Sequence, residues 1–165
     1  MNAAYHIIKL QLNPHPEGGY FRETYRAKER IPAAGLPERF HDERNFSTAI
    51  YFLLEKGDYS AFHRIKSDEC WHFYDGGTLL IHVIEESGQY YKVKLGKQVD
   101  KDEVFQFVVP AGSWFASEPA NGVPYALVGC TVAPGFDFED FEMASKEAML
   151  KVYPEHEQII SRLCR

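Results

Sequence analysis

Eight short apolar segments, most of them set off by a turn signal, follow one another between residues 47 and 132. This rhythm restricts the possible folds more than any other feature of the chain. The segments are STAIYFLL (47–54), YSAFHRI (59–65), CWHFY (70–74), TLLIHVI (78–84), QYYKVKL (89–95), VFQFVV (104–109), SWFAS (113–117) and YALVGCTV (125–132). Lys56-Gly57-Asp58, Asp75-Gly76-Gly77, Ser87-Gly88, Pro110-Ala111-Gly112 and Asn121-Gly122 punctuate them. No helical pattern lies between them, so a parallel α/β sheet is excluded and an all-β sandwich or barrel is expected. The 10 Tyr and 12 Phe agree, because flat rings suit a pleated, half-buried surface. A length of 165 residues predicts one domain over 1–165, its core spanning about 12–144.

The flanks differ from this centre. The first ten residues predict a short amphipathic helix with Ile7, Ile8 and Leu10 on its apolar side, stopped by Asn13, Pro14 and Pro16. Residues 18–26 (GGYFRETYR) alternate Tyr20, Arg22 and Thr24 against Phe21, Glu23 and Tyr25, as a strand does. Residues 27–45, with their prolines, charges and lone Phe40, are expected to be a loop. C-terminal helices are expected over about 145–163. Ser145 caps the first, and Pro154 starts the second, whose apolar side is Ile159, Ile160 and Leu163.

Charge and cysteine content narrow the partners. A net charge of −6 gives no basic footprint, so nucleic acid is not an expected partner. No apolar run approaches the roughly 20 residues that cross a bilayer, and the N-terminus lacks a secretory pattern. Cys70, Cys130 and Cys164 form no CxxC spacing and read as reduced thiols of a cytoplasmic protein.

Residues 57–77 carry a motif. Gly57, His63, Glu69 and Gly76 fall in the register G, five residues, His, then Glu and Gly, with Ile65 where a second histidine belongs. Further on, Pro110 and Gly112 supply a P-x-G. There Phe115 stands at a histidine position, Glu118 at an asparagine and Val104 at an opening glycine. This pattern resembles the two cupin motifs. The blocks HPEGGYFRETY, STAIYFLL and VGCTVAPGFDFEDFEMA resemble the cupin-5 branch, an epimerase-like group of unknown function, from about Leu12 to Ala144. The resemblance implies a double-stranded β-helix (jelly roll) with short N- and C-terminal helices, assembled as a homodimer. It implies no particular activity.

Three readings of the candidate residues remain open at this point. Cupins of the usual kind hold a metal with three histidines and a carboxylate. Here only His63 and Glu69 of that set remain, so no cofactor is expected, and those two would be the ligands if a metal binds. His72 is a further donor, but on a strand starting at Glu69 it faces away from Glu69, Trp71 and Phe73. The second reading is metal-free proton transfer on a sugar-like or carbonyl compound. His63 is then the base, Glu69 orients it, and Tyr59 or Tyr20 is the acid. In the third, the pocket binds a metabolite without turnover. His15, Glu17, Arg22 and Glu23 beside Gly18-Gly19, with Tyr20 among them, predict a rim for an anionic small molecule, competing with a plain turn into an edge strand. Trp71, His72 and Phe115 complete the expected ligand contacts, competing with core packing for the aromatics. A hydrogen-bonded core histidine competes with every active reading of His63.

Overall fold

The computed structural model describes residues 2–165. Fourteen strands make it up: β1 (Asn13–Pro14), β2 (Tyr20–Arg26), β3 (Arg30–Ile31), β4 (Arg44–Asn45), β5 (Thr48–Glu55), β6 (Ser60–Arg64), β7 (Asp68–Gly76), β8 (Leu79–Ile84), β9 (Tyr90–Leu95), β10 (Glu103–Val104), β11 (Gln106–Val109), β12 (Trp114–Pro119), β13 (Tyr125–Ala133) and β14 (Glu142–Met143). Helix α1 (Ala3–Lys9) precedes them, and α2 (Lys146–Val152) and α3 (Glu157–Leu163) follow. One sheet runs β1-β2-β5-β13-β7-β11, and a second runs β10-β9-β8-β12-β6-β14. Their facing side chains (Phe52, Leu54, Trp71, Ile81, Val83, Phe115, Val128) form one buried core. This is an all-β sandwich, as the strand rhythm predicts, and a jelly roll, as the resemblance implies.

Departures from the expected elements have local causes. The expected strand over 104–109 is divided at Phe105. β10 pairs in parallel with β9 in the second sheet, while β11 pairs with β7 in the first. In α1 the buried positions are Ala3 and His6, with Ile7 and Leu10 packed beside them, whereas Ile8 is 72% exposed. Positions 3, 6, 7 and 10 form one helical stripe, and Ile8 lies off it. Residues 27–45 are not simply a loop. β3 and β4 pair within them, and Phe40 is buried with the guanidiniums of Arg39 and Arg44 over its ring.

Strand β6 does not alternate between buried and exposed, since Ser60, Ala61, Phe62 and His63 are all buried. Its outer face is covered by α2 and α3, which bring Met149, Ile160 and Leu163 against Phe62, Trp114 and Ala116. A polar chain fastens α3 to the sheet. The His82 ring bonds the Tyr90 hydroxyl at 2.8 Å and Glu118 at 3.1 Å, and Arg162 pairs with Glu118. No helix among the described residues is long and apolar enough to cross a membrane.

A buried ion pair ties the 27–45 stretch to the segment after β13. Arg44 donates from Nε and Nη2 to the two carboxylate oxygens of Asp140 at 2.6 and 2.8 Å, and both side chains are almost fully buried. Removing one partner leaves an uncompensated charge in a dry environment. Asp140→Ala is therefore expected to cost about 3 kcal/mol or more in urea unfolding. Glu43→Ala, which breaks the half-exposed Arg30 pair, should leave the midpoint within error.

Candidate functional site

A cavity of about 90 Å³ opens between the sheets, lined by residues from several strands and two connecting segments. Its chemistry begins at the turn before β2. Gly18 and Gly19 both adopt positive φ, +115° and +74°, which glycine alone tolerates readily. A Cβ at Gly18 would lie 2.1 Å from the Tyr59 carbonyl oxygen, so the turn sits directly on β6. The Ala61 N–H donates to the Glu17 carbonyl at 2.9 Å, completing that docking. The turn thereby delivers the Glu17 side chain to the inner face of β6.

His63 meets it there. Its Nε2 lies 3.1 Å from Glu17 Oε2, and both side chains are buried. Its Nδ1 lies 2.7 Å from the Ala61 carbonyl, which can only accept. Nδ1 therefore carries the proton, and a neutral His63 presents a bare Nε2 to Glu17. The backbone N–H of Glu17 donates to His15 Nδ1 at 3.2 Å. Ser60 is also buried beside Glu17, although its hydroxyl makes no hydrogen bond of normal length. A bulge explains how Ser60 and His63 reach one side of β6. Phe115 pairs with His63 but Ser117 pairs with Ser60, so β6 carries one extra residue.

On the opposite wall Glu69, Trp71 and Phe73 share the inner face of β7. Glu69 reaches the cavity beside the buried Cys130 thiol of β13. A second bulge, at Thr24, places Phe21, Glu23 and Arg26 on the inner face of β2. Phe136, Phe138 and Phe141 close the mouth, with ring centroids 5.0–6.3 Å apart. Phe141 lies 5.3 Å from the His63 ring.

Several sequence-derived candidates lie elsewhere. The expected acid Tyr59 packs beside the C-terminal helices under the Arg165 guanidinium, and Tyr20 packs with the cluster around Leu53 and Tyr125. Neither lines the cavity. Arg22 faces α1 and donates to the Leu10 carbonyl at 2.8 Å, because strand alternation turns it outward. His72 is on the outer face, bonded to Thr131 and Gln106, as its parity requires. Trp71 is core, edge-on to Phe52 and Phe115, and Phe115 backs His63 at 4.1 Å without lining the cavity. Glu17, rather than Glu69, is the residue hydrogen-bonded to His63. No motif or spacing in the sequence marks Arg26, Cys130 or the three phenylalanines at the mouth as site residues. His15 and Glu23 had their only signal in their closeness to the glycine pair.

The family described as the Cupin superfamily (DUF985) matches residues 4–144 of this chain. The chain belongs to that cupin family. An uncharacterized protein of Saccharomyces cerevisiae is 35% identical to this cupin over 157 residues, 88% of this chain and 76% of the yeast protein. A solved structure of a hypothetical protein from Leishmania major is 35% identical, covers 99% of each chain and has a TM-score of 0.90. A protein structure from Shewanella oneidensis is 39% identical, covers 100% of this chain and 98% of that one, also with a TM-score of 0.90. Oxalate decarboxylase from Bacillus subtilis, 18% identical with a TM-score of 0.56 over 92% of this cupin and 36% of its own chain, shares the fold alone.

The family's fold raises the question of a metal, and the donors here do not make the usual set. Ile65 and Phe115 offer no donor atom, His72 points outward, and both ring nitrogens of His63 are engaged. Among the described residues no group of three or more His, Cys, Asp or Glu is arranged to hold a metal ion.

Electrostatics favours the neutral form of each buried partner. Burial raises the Glu17 carboxyl, opposed by His15, and burial lowers His63. Both shifts favour Glu17–COOH donating to the bare Nε2, over an ion pair. Burial also lowers His15. Glu69 is pushed up to about 7, chiefly by burial, with His63 opposing and Glu17 adding to the shift.

Two outcomes follow. A carboxyl raised on folding stabilises the fold while protonated, below about 4.5, and that contribution is lost as pH rises to about 7. Glu69→Gln should therefore gain stability relative to the parent between pH 5 and pH 8, by roughly 2–3 kcal/mol in urea unfolding. Gly18→Ala should lose at least about 2 kcal/mol, because strained φ and a backbone clash coincide.

Proposed function

We propose that this cupin binds a small molecule in the cavity and moves a proton on it, as an isomerase or epimerase does, without a resident metal. The observation that carries this reading is the buried 3.1 Å contact between Glu17 and His63, with Glu69 on the facing wall. Burying three titratable groups costs free energy that apolar residues in the same places would not, and such arrangements concentrate at functional sites. Burial raises both carboxyls, so hydrogen bonding separates their roles: the Nε2 of His63, the base expected from the sequence, is held by Glu17, whereas Glu69 is left without a strong donor. Glu69, with its carboxyl near 7, is half ionised at neutral pH and serves as the base. Glu17, protonated and hydrogen-bonded to His63, serves as the acid. A proton leaving the ligand passes to Glu69, and one entering it comes from Glu17. Exchange with water through the cavity mouth then takes the proton from Glu69 and returns one to Glu17, while His63 holds the Glu17 carboxyl in place.

Cavity size limits the ligand. A volume of about 90 Å³ lies below the ~150 Å³ that accommodates benzene. It suits a molecule, or the reacting end of one, with about four to six non-hydrogen atoms. Phe21, Ile50, Ile65, Val132, Phe136 and Phe141 make most of the wall apolar, which strengthens every polar contact inside.

The test begins with a thermal-shift screen of small carbonyl and amino compounds. Stabilising hits are then incubated in deuterium oxide, and carbon-bound deuterium is measured by mass spectrometry. The parent protein is expected to exchange a carbon-bound hydrogen. His63→Ala and Glu17→Gln should each slow exchange about 100-fold or more while remaining folded. Ligand stabilisation with no exchange and no product would instead identify a metabolite-binding cupin.

A further inference from the structure

The charge inventory of the cavity leads to a ligand class. The lining contains three carboxyl groups, Glu17, Glu23 and Glu69, and a single arginine, Arg26. Arg26 is not available to hold an anion. Its Nε donates to Glu23 Oε1 at 3.0 Å and its Nη2 to Glu23 Oε2 at 2.7 Å. Its Nη1 donates to Asn45 Oδ1 at 2.9 Å and to the Phe136 carbonyl at 3.0 Å. One donor on Nε, one on Nη2 and two on Nη1 leave one of the five guanidinium N–H groups uncommitted. The paired edge that grips a carboxylate or phosphate is already filled by Glu23. Arg22, the other arginine expected to meet an anion, is turned toward α1.

The two inner carboxyls have the opposite character. No Lys or Arg among the described residues lies within ion-pair distance of Glu17 or Glu69, and the Arg165 guanidinium, beside Gly18 and outside the cavity lining, only offsets part of the upward shift of Glu17; the groups next to the two carboxyls are His63, His15 and the Cys130 thiol. Glu69 is thus a buried acceptor without a strong donor. The same cavity is lined by four phenylalanines, Phe21, Phe136, Phe138 and Phe141, and aromatic rings attract a cation. Acidic oxygens inside an aromatic wall are the complement of a small organic cation, whereas an anion there would meet two carboxyls and no cation in the lining that is free to pair with it.

We propose that the cavity receives a ligand bearing a compact cationic amine, its N–H groups directed at the Glu69 and Glu17 carboxyls and its alkyl portion against the phenylalanines. This rests on the reading of the cavity as the ligand site and specifies the substrate class for it. It replaces the anionic ligand expected from the sequence. Ionised Glu69 strengthens binding. The groups facing it are His63 on β6, Glu17 and His15 on the preceding turn, Cys130 on β13, and Glu23 with Arg26 on β2.

Three probes of similar shape test the proposal: isopropylammonium, isopropanol and isobutyrate. Each is titrated into the intact protein, and the His63 ring nitrogens are followed by long-range ¹H–¹⁵N NMR. At pH 8 isopropylammonium is expected to bind at least about tenfold tighter than isopropanol, with isobutyrate the weakest. That preference should shrink at pH 6, where Glu69 is mostly protonated. In Glu69→Gln it should fall below about threefold, with fold retention checked by its amide spectrum. The parent comparison stands on its own should that variant misfold. The amine assignment is overturned if isobutyrate binds tightest, if ammonium and alcohol bind alike, or if folded Glu69→Gln keeps the tenfold preference. In each of those cases the cavity still binds a probe, and the ligand-site reading survives. If no probe perturbs His63, the ligand-site reading fails and the amine assignment fails with it.

Discussion

A buried carboxyl held against a buried imidazole is the constraint around which this cupin is organised. Neither Glu17 nor His63 can be charged alone in that setting at tolerable cost, so the two share one proton. That arrangement needs the Glu17 backbone within hydrogen-bonding distance of β6, and only a turn without side chains can approach so closely. The consecutive positive-φ glycines supply it, one of them packed against the Tyr59 carbonyl and the other against the Leu53 carbonyl. The Ala61 carbonyl then fixes the imidazole tautomer from below. Turn, strand and ring act as one unit, and the chemistry depends on all three.

The cavity wall is set by irregularities in the strands. Regular alternation on β2 would carry Phe21, Glu23 and Tyr25 inward. The bulge at Thr24 substitutes Arg26 for Tyr25, and this arginine then fastens Glu23, Asn45 and the carbonyl of Phe136. The bulge in β6 similarly puts His63 three residues from Ser60 on one face. Bulges are where a sheet can redirect a side chain without losing its neighbours.

The mouth depends on a distant anchor. Phe136, Phe138 and Phe141 lie on a short irregular segment with little sheet pairing of its own. Its position is held by the Arg44–Asp140 pair, by Arg26 and by the exposed Arg64–Glu142 pair. The stretch over 27–45 thus contributes Arg44 as a support for the cavity's aromatic closure, although none of its residues lines the cavity.

Much of the architecture was legible in the sequence. Turn signals and apolar runs mark the central strands, all but the division at Phe105, and parity alone turns His72 outward and Glu69 inward. The glycine pair marks a close backbone approach, and the cupin register selects His63 and Glu69. These are local properties, encoded within a few residues of one another. The sequence does not reveal that Glu17 is the partner of His63, that Arg26 replaces Arg22 inside, or that Tyr59 and Tyr20 stand away from the cavity. Each depends on a bulge or on a contact between segments dozens of residues apart, where a one-residue shift exchanges the inner and outer faces. The strand rhythm therefore determines that an all-β sandwich forms, and the cupin motifs that it is a jelly roll, while the registers adopted when the sheets pair determine which side chains share its cavity.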